Sequence, residues 1–426
     1  MKIYLNEIKR ILSIRSNQII ILFSLLLAIL LSIAPINFTK ITYGEGDQVK
    51  NLKGKEAIEY IKKAKEPYSG KITEDLIYNG TKKYREILRE YNVTDRSELK
   101  PEINTKKLMP IEHISKKVNE VFTDSQSNNL PPVLSIDIND TKYFYNKVFD
   151  YLNKVIENEY PNKAQNQIIE KSEKALSKIK TPYEYYGYYS TDANDYRGFY
   201  NTIIIILMVV VAAPIFSSDS ENDLDYIFKT TKYGRRKFAI YKILATLTIS
   251  VLTLLLGNFI QGSILDYAFG TEYKKTSVQM MFSALSLHNW NFGQFNKYML
   301  ICNSIILIST ILATLIISVL SKRKVESIMK SILLAVFPTI ISPIGMISAI
   351  NYIFPSSGIG LLNSLQNQIA DFNFVNVFGN WMSSSSLIMI SAVIYIIILP
   401  SLVVMMYSKI GGNYGLNNPR KRKVRK

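Results

Sequence analysis

The apolar residues of this chain are concentrated in six runs, and this segregation limits the possible folds more than any other feature of the sequence. Each run is about 20 residues long, the length that an α-helix needs to cross a hydrocarbon core of about 30 Å. We therefore predict an all-α membrane protein with six transmembrane helices. The predicted spans are residues 17–37, 199–216, 238–262, 298–320, 332–353 and 387–407.

The lysines and arginines indicate how these spans are oriented. The formal net charge is +17, and almost all of the excess lies in four short segments beside the spans, 1–16, 217–242, 321–331 and the tail after Tyr407. Loops rich in Lys and Arg remain on the cytoplasmic side, so both termini are predicted to be cytoplasmic. The richness in Ile, Lys, Asn and Tyr suggests an AT-rich bacterial genome, and the predicted location is the bacterial plasma membrane.

The segments between the spans differ in their predicted roles. Residues 1–16 have apolar side chains at helical spacing and form an amphipathic helix at the cytoplasmic interface. Residues 38–198 are numerous enough to form a mainly helical extracellular domain with its own core. The remaining segments are an extracellular loop at 263–297, a cytoplasmic loop at 321–331, extracellular semi-buried helices at 354–386 and a basic cytoplasmic tail at 408–426. Beside a bilayer, the charge of that tail favours anionic membrane lipid over nucleic acid as its partner.

Motifs for catalysis and cofactor binding are missing from the sequence. The two Gly-Lys pairs lack the other residues of a phosphate-binding loop, and there is no nucleophile elbow, no zinc-binding helix and no Cys-x-x-Cys pair. We therefore predict that the chain is not an enzyme and binds no cofactor or metal directly. The six runs contain essentially no carboxylate or arginine, which disfavours a carrier driven by protons or sodium. Energy for any uphill transport would come from another polypeptide.

A charged segment at 217–237 separates the second predicted span from the third. Its first half carries Glu221 and Asp223 and its second half is basic, so a helix here would complement its own dipole. Leu224, Ile227 and Phe228 fall on one face, and Gly234 can end the helix. One interpretation is that the basic residues only set the topology. The other is that a short amphipathic helix docks onto a soluble partner.

The pattern of an acid after the second span, a helix, "TTKYGRR" and a lysine at the third span resembles the permease subunits of ABC-2 type transporters. The six spans, the interface helix and the large outer domain extend this resemblance. It implies that 217–237 is a cytoplasmic coupling helix that meets an ATPase. By position, Glu221 corresponds to the acid, Gly234 and Arg235 to the turn, and Lys242 to the lysine.

The resemblance also implies partners and a function. Two copies of an ABC ATPase subunit would hold ATP and magnesium, and a second permease, the same or homologous, would complete the transporter. The large outer domain resembles those of permeases that export peptides, bacteriocins or antibiotic-like amphipathic substrates. The alternative is a membrane-anchored receptor or secretion scaffold without ATPase coupling, which the pattern at 217–237 disfavours.

Overall fold

A computed structural model describes residues 2–44, 49–123, 130–224, 235–341, 349–360, 364–370 and 372–409. Within these ranges, five helices are long and apolar enough to cross a membrane, so the chain is a multi-pass membrane protein built mainly of α-helix. The five are α2 (Arg15–Phe38), α10 with its continuation α11 (Thr191–Ala212 and Pro214–Glu221), α12 (Arg236–Phe269), α14 (Phe292–Leu320) and α18 (Ser384–Lys409).

These five helices include the predicted spans but extend beyond them. The longest, α12, has 34 residues, which corresponds to about 51 Å at 1.5 Å per residue and exceeds the thickness of a hydrocarbon core. It ends at Gly270, whose φ of +80° favours glycine. Hydropathy therefore predicted the apolar part of each helix. It did not predict the additional turns by which each helix extends beyond its apolar run.

The sixth predicted span, at 332–353, is not among the helices that qualify as membrane-spanning in the described part of the chain. The helix α15 runs from Lys324 to Ile341 and so takes in most of the predicted loop at 321–331. Its first turns carry Lys324, Glu326 and Lys330. Residues 342–348 lie outside the described residues, and α16 (Ile350–Ile353) follows them. The prediction of six spans is thus supported for five.

The first span shows how the bundle is packed. On α2, the small residues Ser24, Ala28 and Ser32 are fully buried, whereas Leu22 and Leu26 are 66% and 52% exposed. The helix packs against α10 and α12. Small residues let helices approach closely in a membrane, where large apolar side chains can face lipid. At one end of the bundle α2 is preceded by α1 (Lys2–Ser13), which also packs on α12. We call this the α1 end.

A large unit, which we call the head, lies at the other end and follows α2. It is mainly helical, and its described residues between α2 and α10 include two small antiparallel sheets, β1–β2 and β3–β4. Its helices are α3 (Gly54–Lys65), α4 (Glu74–Glu90), α5 (Pro101–Ile103), α6 (Glu112–Val121), α7 (Pro132–Ser135), α8 (Phe144–Glu159) and α9 (Asn162–Leu176), and its strands are β1 (Lys40–Tyr43), β2 (Lys50–Lys53), β3 (Gly70–Lys71) and β4 (Glu184–Tyr185).

The apolar core of the head is separate from the core of the bundle. Leu152 of α8 and Ile168 of α9 are fully buried in it. Later parts of the chain contribute as well, since Leu285 and Phe374 belong to the same core. The short helix α13 (Val278–Met281) lies in the first of these later segments. Three segments of the chain, and not 38–198 alone, therefore build the head.

The segment 354–386 differs from the predicted semi-buried helices. Its described residues form one short helix, α17 (Leu365–Ala370), followed by a hairpin of β5 (Phe374–Val377) and β6 (Asn380–Ser383). The turn of the hairpin places Phe378 and Gly379 at positive φ, a conformation typical of tight hairpin turns. The β-branched valines and the Gly-Asn pair explain why a hairpin replaces a continued helix.

Candidate functional site

The segment that sequence analysis singled out lies between α11 and α12 at the α1 end. Ile227, Phe228 and Gly234 lie outside the described residues, as do all positions from 225 to 234. The described residues on either side are exposed: Glu221, Asp223 and Leu224 follow α11, and Arg235 precedes α12. Asp223 has a φ of +56°. The candidate site is therefore built from the helices that flank this segment.

Lys242, predicted to face a soluble partner at the start of the third span, is completely buried in the second turn of α12. Its Nζ donates to the carbonyl oxygen of Ile215 at 2.9 Å and forms an ion pair with Asp219 of α11. The rings of Phe216 and Phe238 lie about 5 Å from the same ammonium group. Lys242 therefore has no exposed surface for a soluble partner in this structure, and its assignment to the ATPase-coupling residues stays a prediction.

The N-terminal helix completes this cluster. Arg10 of α1 approaches the other carboxylate oxygen of Asp219 at 3.5 Å. The guanidinium of Arg10 also pairs with Glu7 at 2.8 Å, and Glu7 is only 5% exposed. Asp219 is 2% exposed. We call these four side chains, Glu7, Arg10, Asp219 and Lys242, the charged junction. Charges alternate along it and sum to zero.

The charged junction is stable only while its buried charges keep their partners. A buried charge loses its hydration, and this loss is offset only when an opposite charge and further hydrogen-bond partners are in place. Removing one member of such a pair typically destabilises a protein by about 3–5 kcal/mol. The four side chains therefore hold α1, α11 and α12 in one arrangement.

Two further helices are tied to α11 at the same end. Proline at the start of α11 interrupts the helix after Ala213, and the freed backbone groups need new partners. The hydroxyl of Ser318 on α14 accepts from the backbone N–H groups of Phe216 and Ser217, at 2.9 and 3.1 Å. The hydroxyl of Ser327 on α15 donates to the carbonyl oxygen of Ala213. The break in the second span is thus bridged by α14 and α15.

Glu221, the predicted acid after the second span, adds a surface contact to this arrangement. Its carboxylate accepts from the backbone N–H of Lys324, the first residue of α15, at 3.0 Å. A carboxylate at a helix N-terminus also interacts favourably with the helix dipole. Glu221 therefore connects the end of α11 to the start of α15 while remaining exposed.

The buried part of the site was not predicted from the sequence. Asp219 lies just outside the six apolar runs, and Arg10 lies in the amphipathic segment 1–16, so neither was expected inside the protein. In the structure, Asp219 and Lys242 are both buried. The signal in the sequence was weak: Lys242 lies within "FAIYKILATL" and Asp219 follows the apolar end of a span. Both positions are equally typical of a helix end that reaches water.

A second buried charged cluster lies in the head. Lys65 is 6% exposed and its Nζ lies 3.4 Å from the hydroxyl of Tyr185. Burial lowers the pKa of Lys65. Burial alone would raise the pKa of Glu112, but the cations Lys65, Lys116 and Arg96 outweigh it and hold that pKa at about 2. This carboxylate therefore remains charged beside the buried ammonium group.

His113 belongs to the same cluster in a neutral form. Its ring stacks on Tyr185 with centroids 4.0 Å apart, and its Nε2 lies 3.1 Å from the carbonyl oxygen of Tyr68. Burial, together with the charge of Lys65, lowers the pKa of His113 to about 3. A neutral histidine at every physiological pH points to a structural role, so this cluster stabilises the head and is not the candidate site.

In the part of the chain that the structure describes, no group of three or more His, Cys, Asp or Glu side chains is arranged to hold a metal ion. No family model, no curated protein and no solved structure matches the chain.

Proposed function

We propose that this chain is the membrane permease subunit of an ATP-driven exporter of the ABC-2 type. The observation that carries the proposal is the charged junction, which joins the two helices flanking segment 225–234 to each other and to α1. A partner that pushes on this segment would move α1, α11 and α12 together. The serine contacts from α14 and α15 extend that motion to two further helices.

In this proposal, the α1 end faces the cytoplasm of a bacterium. Residues 217–237, which include the end of α11 and the start of α12, contain the segment that meets the ATPase. The ATPase would be a separate subunit in two copies, and it would bind ATP and magnesium. A second permease, the same or homologous, would sit beside this one. Glu221, Asp223, Leu224 and Arg235 would contribute to the docking surface, and the buried Lys242 would support it from within.

The head is proposed to receive the exported substrate or its partner outside the cell. A cavity of about 560 Å³ on the head is lined by carboxylates and ammonium groups, including Glu59, Lys62, Lys63, Glu66 and Glu272. A surface with both positive and negative side chains is complementary to a peptide, bacteriocin or antibiotic-like molecule that carries charges of both signs. The alternative, a receptor or secretion scaffold without an ATPase, is favoured by the separate core of the head.

Site-specific photocrosslinking tests the proposal. Leu224 is 39% exposed beside the coupling segment, and Phe378 is fully exposed at the tip of the β5–β6 hairpin. A photocrosslinking amino acid replaces each in turn, and membranes of the source bacterium are then labelled with 8-azido-ATP. We expect a polypeptide crosslinked at Leu224, and not at Phe378, to carry the nucleotide label. Crosslinking only at Phe378, with no nucleotide-labelled product at Leu224, would support the receptor or scaffold instead.

A further inference from the structure

An elongated groove lies between α12 and α18 at the α1 end of the bundle. Its volume is about 580 Å³. The walls are apolar and face outward: Ile240, Leu244 and Met405 are 43%, 46% and 45% exposed, and Leu247 and Val404 lie deeper along the groove. Because both helices span the membrane, these walls face lipid.

The rim of the groove is cationic. Arg236, the first residue of α12, and Lys409, the last residue of α18, both line it. None of the described residues that line the groove is acidic. Among the described residues, no carboxylate forms an ion pair with either cation. The exposed hydroxyl of Ser401 adds a polar group. Two positive side chains therefore stand at one end of an apolar channel.

The length of the groove matches one leaflet of a bilayer. From Arg236 to Leu247 the helix rises about 16 Å at 1.5 Å per residue. Half of a hydrocarbon core measures about 15 Å. An acyl chain lying along this stretch of α12 would extend from the rim to the middle of the membrane.

We propose that this groove is a binding site for one anionic glycerophospholipid from the leaflet at the α1 end. Its phosphate lies between Arg236 and Lys409, and an acyl chain fills the channel lined by Leu244 and Met405. A second copy of this chain is a poorer occupant, because a two-fold contact through this face would bring the same cations together. The inference concerns lipid recognition and holds whether or not an ATPase partner exists.

Quenching by brominated lipids tests the site. The chain has two native tryptophans, Trp290 and Trp381, so the emission of the unmodified protein is subtracted as background. The Leu244→Trp variant, reconstituted in vesicles of dioleoylphosphatidylcholine, receives a small equal fraction of either dibromo-phosphatidylglycerol or dibromo-phosphatidylcholine. We expect much stronger quenching by the anionic lipid. Leu22→Trp lies in the third turn of α2, as Leu244 lies in the third turn of α12, and the native leucine is 66% exposed. This variant should show no such preference.

Two variant pairs identify the phosphate contacts. Arg236→Gln with Lys409→Gln should lower the preference for phosphatidylglycerol about thirtyfold, since each cation near an anionic surface contributes about a factor of five. Lys2→Gln with Lys9→Gln, which removes two exposed charges of α1, should leave the preference intact. Met405→Trp repeats the measurement from the opposite wall if Leu244→Trp does not fold.

Several results would overturn the proposal. Equal quenching of Leu244→Trp by the two brominated lipids would show that no anionic headgroup is selected. A preference that survives loss of Arg236 and Lys409, or that α1 variants abolish equally, would reduce the effect to general surface charge. Absence of quenching by either lipid, with disulfide crosslinking between two Ile240→Cys copies, would assign the groove to a second copy.

Discussion

One helix of the bundle, α2, and one helix of the head, α8, bury opposite kinds of side chain. On α2, in the bundle, Ser24 and Ser32 are fully buried while Leu26 is 52% exposed. On α8, in the head, Leu152 and Ile156 are fully buried. The two helices differ in the residues of their outer faces: the exposed side chains of α2 are mainly apolar, and those of α8 are mainly polar. This difference matches the medium that each outer face contacts, lipid for α2 and water for α8.

The comparison explains what holds each region together. Water around the head drives apolar burial, with about 25 cal/mol gained for each Å² removed from solvent. Lipid around the bundle is as apolar as leucine, so helices associate through close packing of small residues and hydrogen bonds. Two ion pairs, one from each region, differ in burial as well. Lys147 and Asp150 in the head form an exposed pair, whereas Lys242 and Asp219 in the bundle are buried and paired.

The largest expected effect concerns the buried ion pair of Lys242 and Asp219, compared with the exposed pair of Lys147 and Asp150. Lys242→Met leaves Asp219 buried with less compensation and should lower the free energy of unfolding by about 3–5 kcal/mol. Combining it with Asp219→Asn should recover a large part of this loss, since a neutral pair leaves fewer uncompensated charges. Lys147→Met, in an exposed pair of the head, should cost about 0–1 kcal/mol. Denaturant titration in mixed micelles measures all three, and equal costs at the two lysines would contradict the comparison.

The next effect tests the apolar residues. Leu152→Ala in the head removes a fully buried side chain and should cost about 2–5 kcal/mol. Leu26→Ala on α2 changes a lipid-facing position and should cost less than about 0.5 kcal/mol. The same titration, followed by the fluorescence of the native tryptophans, reports both. A large loss at Leu26 would mean that α2 has another protein surface against its outer face.

A smaller effect tests close packing in the bundle. A methyl group on Gly257 of α12 would overlap the buried ring of Tyr200 on α10. Gly257→Ala should therefore cost about 1–3 kcal/mol. Gly262→Ala on the same helix meets no atom within 4 Å, and the better helix propensity of alanine should make it neutral or stabilising by up to about 1 kcal/mol. Thermal unfolding in detergent would disprove this account if both variants behaved alike.

The last prediction concerns how the stability of the head depends on pH. The pKa of His113 is lowered from 6.5 to about 3, so between these values the unfolded chain binds a proton that the folded head does not. The stability of the head should therefore fall as pH falls from 6.5 towards 3. Replacing the histidine by His113→Gln should reduce that slope between pH 4 and 6 by about 1.4 kcal/mol per pH unit.

Hydrogen exchange of α6 amides, corrected for the intrinsic pH dependence of exchange, measures this slope. The low pKa of Glu112 contributes in the same direction but chiefly below pH 4.5, so the window from pH 5 to 6 isolates the histidine. An unchanged slope in the His113→Gln protein would show that His113 accepts a proton in the folded head.

Much of the bundle could be predicted from the sequence. An uninterrupted apolar run of the right length has few alternatives to a spanning helix, because backbone groups in lipid must be satisfied within the helix. The span predicted at 332–353 is not confirmed: the start of α15 is charged, Pro338 lies within it, and residues 342–348 lie outside the described residues. The predicted helices at 354–386 were wrong at 374–383, where glycine and β-branched residues form a hairpin.

The sequence by itself determined the five spanning helices and the mainly helical character of the head, because length, periodicity and composition are local properties. Only the tertiary structure decided that Asp219 and Lys242 are buried. Arg10 reaches Asp219 across 209 positions in the chain, and no local pattern reports such a contact. The exposure of a charge at a helix end depends on which other helix covers it. Here α1 covers Asp219. Asp219 and Lys242, which suggest an exposed surface in the sequence, therefore form an internal ion pair.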